Sequence, residues 1–248
     1  MKDLLQMAAV QKLCEFLGYD EGKFYFALLN RKEIHDYSHS KSYRLLKSLY
    51  DLGAVAKVRD VKKEREFSSY VPLPPTFLYN LKETAIKEII TYLEKIYLKN
   101  FPALFLNNYL ELSFSYGFQL PLFLIRHYMK QYAIIVFGSD DDYSLYETYL
   151  SPENFKKITY ICRKDYAHGV KGKIIAAEPC LVGGRRVVII DGIILLDFLR
   201  FPKEDAAKNP RGTRYYGYLL SKDLIENPRK LGHVKRVEQE IRELFHLH

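Results

Sequence analysis

The stretch whose reading decides the fold is Ser38–Val71, SHSKSYRLLKSLYDLGAVAKVRDVKKEREFSSYV. Its first half predicts a helix that starts at Ser38 or Ser40 and runs to Leu52. Leu45, Leu46, Leu49 and Leu52 fall at i, i+1, i+4 and i+7 and make one apolar stripe. Ser40, Lys41, Arg44, Lys47 and Ser48 lie mostly on the other side, a face that carries three positive charges, two hydroxyls and no carboxylate. Gly53 follows the last apolar position, where a residue free to turn left-handed ends a helix. Ala54–Arg59 and Phe67–Val71 then predict two strands around the charged turn Asp60–Glu66.

This order, carried by SKSYRLLKSLYDLGAVAKV (Ser40–Val58) and KKEREFSSYV (Lys62–Val71), resembles the winged-helix DNA-binding domains of prokaryotic and archaeal transcription regulators. The resemblance covers roughly the first third of the chain. It implies a recognition helix in the major groove and a two-stranded wing on the DNA backbone. On that basis Lys41, Arg44 and Lys47 contact phosphates or guanine edges. His39, Ser40, Ser42 and Tyr43, at the helix start, donate to phosphates or read bases. Lys62, Lys63 and Arg65 at the wing tip lie along the backbone or in the minor groove. Glu64 and Glu66 offset the charge of the wing, so the helix carries the stronger expectation. The plain alternative for both segments is a solvated face.

Composition points the same way. The 248 residues carry a formal net charge of +8, which favours a polyanionic partner. A Lys-rich, thermophile-like composition is the other explanation. A hydrophobic content of 48% supports a sizeable core in one large or two small domains. Cys14, Cys162 and Cys180 are odd in number and widely spaced, which predicts neither a disulfide framework nor a zinc site, and suits a reducing, cytoplasmic compartment. The start, MKDLLQMAAVQKLCEFLGYDEG, is broken by Gln, Lys and Glu and does not read as a signal peptide. Phe118–Ile125 and Val187–Leu199 are too short or too interrupted to span a bilayer, so no membrane partner is expected.

Around the central stretch, Asp3–Leu17 predicts an amphipathic helix stopped by Gly18. Phe24–Leu29 is a short apolar segment, strand or helix. Asn30 and Glu33 predict a capped helix over Arg31–Tyr37. Pro72, Pro74 and Pro75 close the wing. Asn80–Asn100 predicts a long helix with Asn80 as its cap and Ile86, Ile89, Ile90, Leu93, Ile96 and Tyr97 as its stripe. That helix either bridges two domains or pairs with a second copy. Phe118–Lys130 reads as a buried helix interrupted near Pro121. Tyr132–Phe137, Ile158–Cys162, Lys173–Ala177 and Arg186–Ile190 read as short buried strands, with Asp142–Leu150 and Ile193–Leu199 as helices. Lys203–Gly217 reads as a polar loop, and Val234–Phe245 as a terminal helix. The expected architecture is α+β. It comprises a winged helix-turn-helix domain over 1–78, a linker or dimerisation helix over 79–100, and an α/β effector or oligomerisation domain over 101–248.

The remaining motifs are weaker. FGSDDD (Phe137–Asp142) brings Gly-Ser near three carboxylates, as nucleotidyltransferases do. Those enzymes space the carboxylates along a strand, so a strand-to-helix turn with an acidic helix start is the simpler reading. Asp191 lacks the second motif of a metal-dependent nuclease and reads as a helix cap. GGRRVVIIDGIILLDFLRFP is similar to a segment of AbiEi-type antitoxins, on Gly184, Val187–Ile190, Leu195, Leu196, Asp197 and Pro202. That similarity implies a helix carrying Leu-Leu-Asp and a toxin as partner. The seven histidines show no paired ligand spacing, and G-x-S-x-G is missing. Arg200–Arg236 is a second basic region, with Tyr215, Tyr216 and Tyr218 interleaved, that either tracks a nucleic-acid backbone or is a solvated loop. The sequence therefore predicts a homodimeric regulator that binds double-stranded DNA, without cofactor, metal or catalytic residues. The alternatives are an antitoxin-like protein-binding regulator and a nucleic-acid-processing enzyme.

Overall fold

The first two helices are joined by one residue and cross at a glycine. In this computed structural model, α1 (Lys2–Leu17) ends at Gly18, whose φ of 103° is open to glycine, and α2 (Tyr19–Leu29) begins at once. The described residues are 2–31, 39–59, 69–81, 84–101, 109–112, 119–136, 140–164, 173–178, 187–197, 199–200, 215–218 and 228–248. The chain divides into two compact units: Met1–Leu104 with Glu111–Leu120, and Phe105–Leu110 with Pro121–His248. A strand, β3 (Tyr109–Leu112), lies where the chain passes between them.

In the first unit, a Cβ on Gly22 of α2 would sit 2.5 Å from the Cys14 backbone nitrogen and 2.6 Å from the Leu13 carbonyl carbon. The two helices therefore meet backbone to backbone. This contact carries Phe24, Tyr25, Phe26 and Leu29 into the core. The Tyr25 hydroxyl donates to the Leu73 carbonyl at 2.7 Å, and its ring meets Phe77 edge-on at 5.3 Å. Complete burial pushes that hydroxyl well above the ordinary tyrosine pKa.

The expected helix Arg31–Tyr37 does not begin where predicted. Asn30 ends α2, its side-chain amide donating to the Phe26 carbonyl at 2.8 Å, and Arg31 is left-handed at φ 51°. Residues 32–38 lie outside the described set. Next come α3 (His39–Asp51), β1 (Val55–Arg59) and β2 (Ser69–Pro72). The two strands pair antiparallel, Val55 opposite Pro72 and Ala56 opposite Val71.

A 3-10 turn over Thr76–Asn80 precedes α4 (Thr84–Asn100), which is shorter than expected. Asn80 closes that turn and accepts from the Gln119 amide at 2.8 Å rather than capping α4. Ile86, Ile90, Leu93 and Tyr97 are buried, and α4 packs on α1 and α2. Buried Glu94 accepts a hydrogen bond from the Tyr79 hydroxyl.

The second unit is built on a five-stranded sheet ordered β6-β5-β4-β7-β8. Its strands are β4 (Ala133–Val136), β5 (Ile158–Arg163), β6 (Lys173–Ala177), β7 (Val187–Ile190) and β8 (Ile194–Asp197). The β4–β5 and β5–β6 pairs are parallel, while β4–β7 and β7–β8 are antiparallel. Ahead of the sheet, α5 (Leu120–Tyr128) takes Pro121 in its first turn, where its missing N–H costs nothing, so the proline starts that helix instead of interrupting it. Two further helices, α6 (Asp140–Tyr149) and α7 (Pro152–Lys156), follow β4, and α8 (Pro228–Leu244) ends the chain. Val234, Val237 and Ile241 of α8, with Phe245 just after it, pack on Ile134, Val136, Ile161, Val187 and Ile189. Successive strand residues alternate in face. Tyr160 accordingly points away from that cluster and meets Tyr146 of α6 at 6.5 Å.

Two expectations fail in this unit. Ile193–Leu199 is not a helix: Ile194–Asp197 is β8, paired to β7 with Ile190 opposite Ile194. The turn between them carries Asp191 and Gly192 at φ 53° and 62°, the Asp-Gly pair of a tight hairpin. The helix implied by similarity to the antitoxins is therefore a strand at Leu195–Asp197. Secondly, Lys203–Gly217 is not loop throughout. Tyr215–Tyr218 forms β10, antiparallel to β9 (Leu199–Arg200), with Tyr215 opposite Arg200. Residues 201–214 lie outside the described set.

Asp191 caps no helix either. Its carboxylate accepts from the backbone amides of Lys130, Gln131 and Tyr132 at 2.7, 2.8 and 2.9 Å, locking the turn between α5 and β4. Next to it, the Tyr132 hydroxyl donates to Glu238 at 2.7 Å, and Arg242 donates to the same carboxylate at 2.8 Å. Burial first, and then the bond to Glu238, push the Tyr132 hydroxyl up to about 12.

Two stability predictions follow from these contacts. Gly22→Ala gains helix propensity of about 1 kcal/mol. It also forces two backbones apart, an overpacking cost of about 1–3 kcal/mol. The clash wins, because backbone atoms cannot rotate out of the way, and the urea midpoint falls. Asp191→Ala removes three charge-assisted hydrogen bonds and places alanine at a left-handed φ, a loss of about 2–4 kcal/mol. Asp191→Asn keeps the backbone preference and one acceptor, and loses less. With no Trp in the chain, tyrosine fluorescence and circular dichroism report both transitions.

Candidate nucleic-acid interface

One side of α3 is anchored and the other is open. Leu45, Leu49 and Tyr50 are buried, and α3 packs on α2 and β1. Tyr50 also meets Tyr70 of β2 edge-on at 6.2 Å. The helix ends as its sequence predicts. Gly53 is left-handed at φ 73°, its N–H donates to the Tyr50 carbonyl at 3.0 Å, and the Ala54 N–H donates to Leu49 at 2.8 Å. Those two bonds form a Schellman cap, and Ala54, Val55 and Ala56 pass straight into the core.

The open side presents His39, Ser40, Tyr43, Arg44 and Lys47, all exposed. Tyr43 is 59% exposed, a large aromatic ring in solvent between cations. This combination of guanidinium, ammonium, hydroxyl and ring suits phosphate contact and base-edge contact together. Ser42 is not part of it. It lies three residues before Leu45 and seven before Leu49, on the anchored side, and is half-buried. Asp51, four residues after Lys47, stands exposed at the end of the helix.

Lys41 differs from the expectation of a face free of carboxylates. Its ammonium lies 2.9 Å from the Asp20 carboxylate of α2, with side chains 36% and 42% exposed. Within α3 the expectation stands, since no acidic residue lies between His39 and Tyr50. The partner comes from another helix, 21 residues upstream, and no local pattern signals it. An ion pair this exposed holds weakly, so a phosphate can displace the carboxylate. The wing residues Lys62, Lys63 and Arg65 lie outside the described residues.

Among the described residues the other candidate chemistries stand apart from one another. Asp140, Asp141 and Asp142 begin α6, as an acidic helix start should. The His127 ring lies tilted by 51° against Phe123, centroids 4.7 Å apart. Cys162 is buried on β5, and Cys14 lies on α1 with its thiol pushed up by burial. Among the described residues no group of three or more His, Cys, Asp or Glu side chains is placed to hold a metal. No helix among them is long and apolar enough to cross a membrane.

No protein-family model and no curated protein matches the chain. Among solved structures, the chain is similar to TrmBL2, described as an archaeal chromatin protein with a novel mode of DNA binding. The identity is 13%, the TM-score 0.31, and the match covers 92% of this chain and 97% of that one.

Asp20→Asn removes the carboxylate beside Lys41 without touching α3. On a DNA-binding role for this face, affinity for a labelled duplex, followed by anisotropy at low salt, should tighten about two- to five-fold, the range of an exposed ion pair.

Proposed function

We propose that the protein is a sequence-specific, homodimeric DNA-binding regulator of transcription. Its first unit acts as a winged helix with α3 in the major groove, and its second unit serves sensing or partner binding. The observation that carries this reading is the split of α3: Leu45, Leu49 and Tyr50 are buried, while His39, Ser40, Tyr43, Arg44 and Lys47 are exposed on the opposite side. The order of α3, the Gly53 stop and the antiparallel pair β1–β2 supports it, as does the net charge of +8. Binding of this kind needs charge neutralisation and base contacts, not bond chemistry.

The test is a binding titration of the double variant Arg44→Ala, Lys47→Ala on duplex DNA across a salt series. Both side chains are exposed, so the fold stays intact. The expected result is at least about a tenfold loss of affinity, and a log–log salt slope shallower by about 2 when both contact phosphate. Unchanged affinity and slope would remove α3 from the interface.

A further inference from the structure

The outer side of α1 sets large apolar side chains among its polar ones. Ala9, Leu13 and Leu17 turn inward and are buried, yet Leu4 and Met7 are 71% and 68% exposed. Beside them a groove of about 660 Å³ runs between α1 and α2, its lining extending from Gln6 and Met7 through Cys14 and Glu15 to Tyr19 and Lys23. Among the described residues, Leu4, Met7 and Tyr19 are three of the five large exposed hydrophobics. Singly such residues mean little, but clustered they mark a contact surface. The stripe of α4 is not available for this purpose, since Ile86, Ile90, Leu93 and Tyr97 are buried.

Charge selects the occupant. Toward the C-terminal end of this face the Glu15 carboxylate is balanced: Gln11 donates to it at 3.0 Å, and Lys12 pairs with it at 3.1 Å. A polyanion has nothing to hold there. The ends differ in sign. Asp3 lies in the first turn of α1. Lys23 follows Gly22, which abuts Cys14 near the other end of that helix. Asp3, Met7, Val10 and Cys14 share one helix face, at steps of four, three and four residues. With Glu15 offset by Lys12, a face that keeps Asp3 at one end, Lys23 at the other and Met7, Val10 and Cys14 between is complementary to itself when turned end for end.

We infer that this face is where two copies of the chain meet, their α1 helices antiparallel across a two-fold axis near Ala8. Leu4 and Met7 of one copy enter the groove of the other at Val10, Cys14 and Tyr19, and Asp3 faces the partner copy's Lys23 at both ends. The inference rests on the homodimer of the proposed function and names its surface.

The experiment is sedimentation of the full chain over about 1 to about 100 µM, the range in which a small interface of this kind dissociates. The wild type should approach twice the chain mass of 29.2 kDa, and Leu4→Glu with Met7→Glu should stay at 29.2 kDa. A second set tests the geometry at exposed polar positions: Asp3→Lys alone weakens the dimer, and Asp3→Lys with Lys23→Asp restores it. A wild-type monomer throughout, a dimer that survives the two glutamates, or a charge swap that restores nothing overturns the interface. Duplex-DNA anisotropy on the same samples separates the two readings. A dimer indifferent to DNA overturns the DNA reading alone, and a monomer that binds DNA overturns the interface alone.

Discussion

The first unit depends on one close approach, Gly22 of α2 against the backbone of Leu13 and Cys14 in α1. Glycine here supplies the absence of a side chain. Because the helices touch at the backbone, α2 lies deep enough for Tyr25 to reach the Leu73 carbonyl beyond β2 and for its ring to meet Phe77. The platform so formed is what α3 rests on. Leu45 and Leu49 bury against it, each contributing about 1.5–3 kcal/mol relative to exposure. The exposed row His39, Ser40, Tyr43, Arg44 and Lys47 is the other side of that anchoring.

The electrostatics of α3 divide into a local and a tertiary part. Locally the helix is a string of cations and hydroxyls, with Asp51 at its end. The fold adds Asp20 beside Lys41, so Arg44 and Lys47 dominate the outer face while Lys41 is partly neutralised on its flank. A weak exposed pair of this kind costs little to break. It also lowers the positive potential on that flank of the helix.

The second unit is organised at one end of its sheet by a carboxylate. Asp191 satisfies three backbone amides between α5 and β4 that would otherwise lack partners, while its own left-handed backbone turns β7 into β8. One residue thus fixes two chain reversals. The Tyr132–Glu238–Arg242 cluster adjoins it and ties α8 to the same corner. A carboxylate in such a network reads, from sequence alone, like a catalytic or capping acid. Its three amide donors show a structural role.

The sequence by itself determined what depends on neighbours close along the chain. The period of Leu45, Leu49 and Leu52 set the buried side of α3. Gly53 set its stop, because few other residues take a positive φ cheaply. The continuous runs AIIV, ITYIC, KIIAA and VVII set four strands, of which AIIV and VVII are wholly buried while KIIAA, at the sheet edge, buries only Ala177. Tertiary structure decided what depends on contacts distant in sequence. ILLD is too short for its period to tell helix from strand, and pairing with β7 made it a strand. Asn80 carries a capping signal, but Gln119 takes its side chain. Asp20 meets Lys41 across 21 residues. In each case the deciding energy comes from a partner on another element, and local pattern carries no record of it.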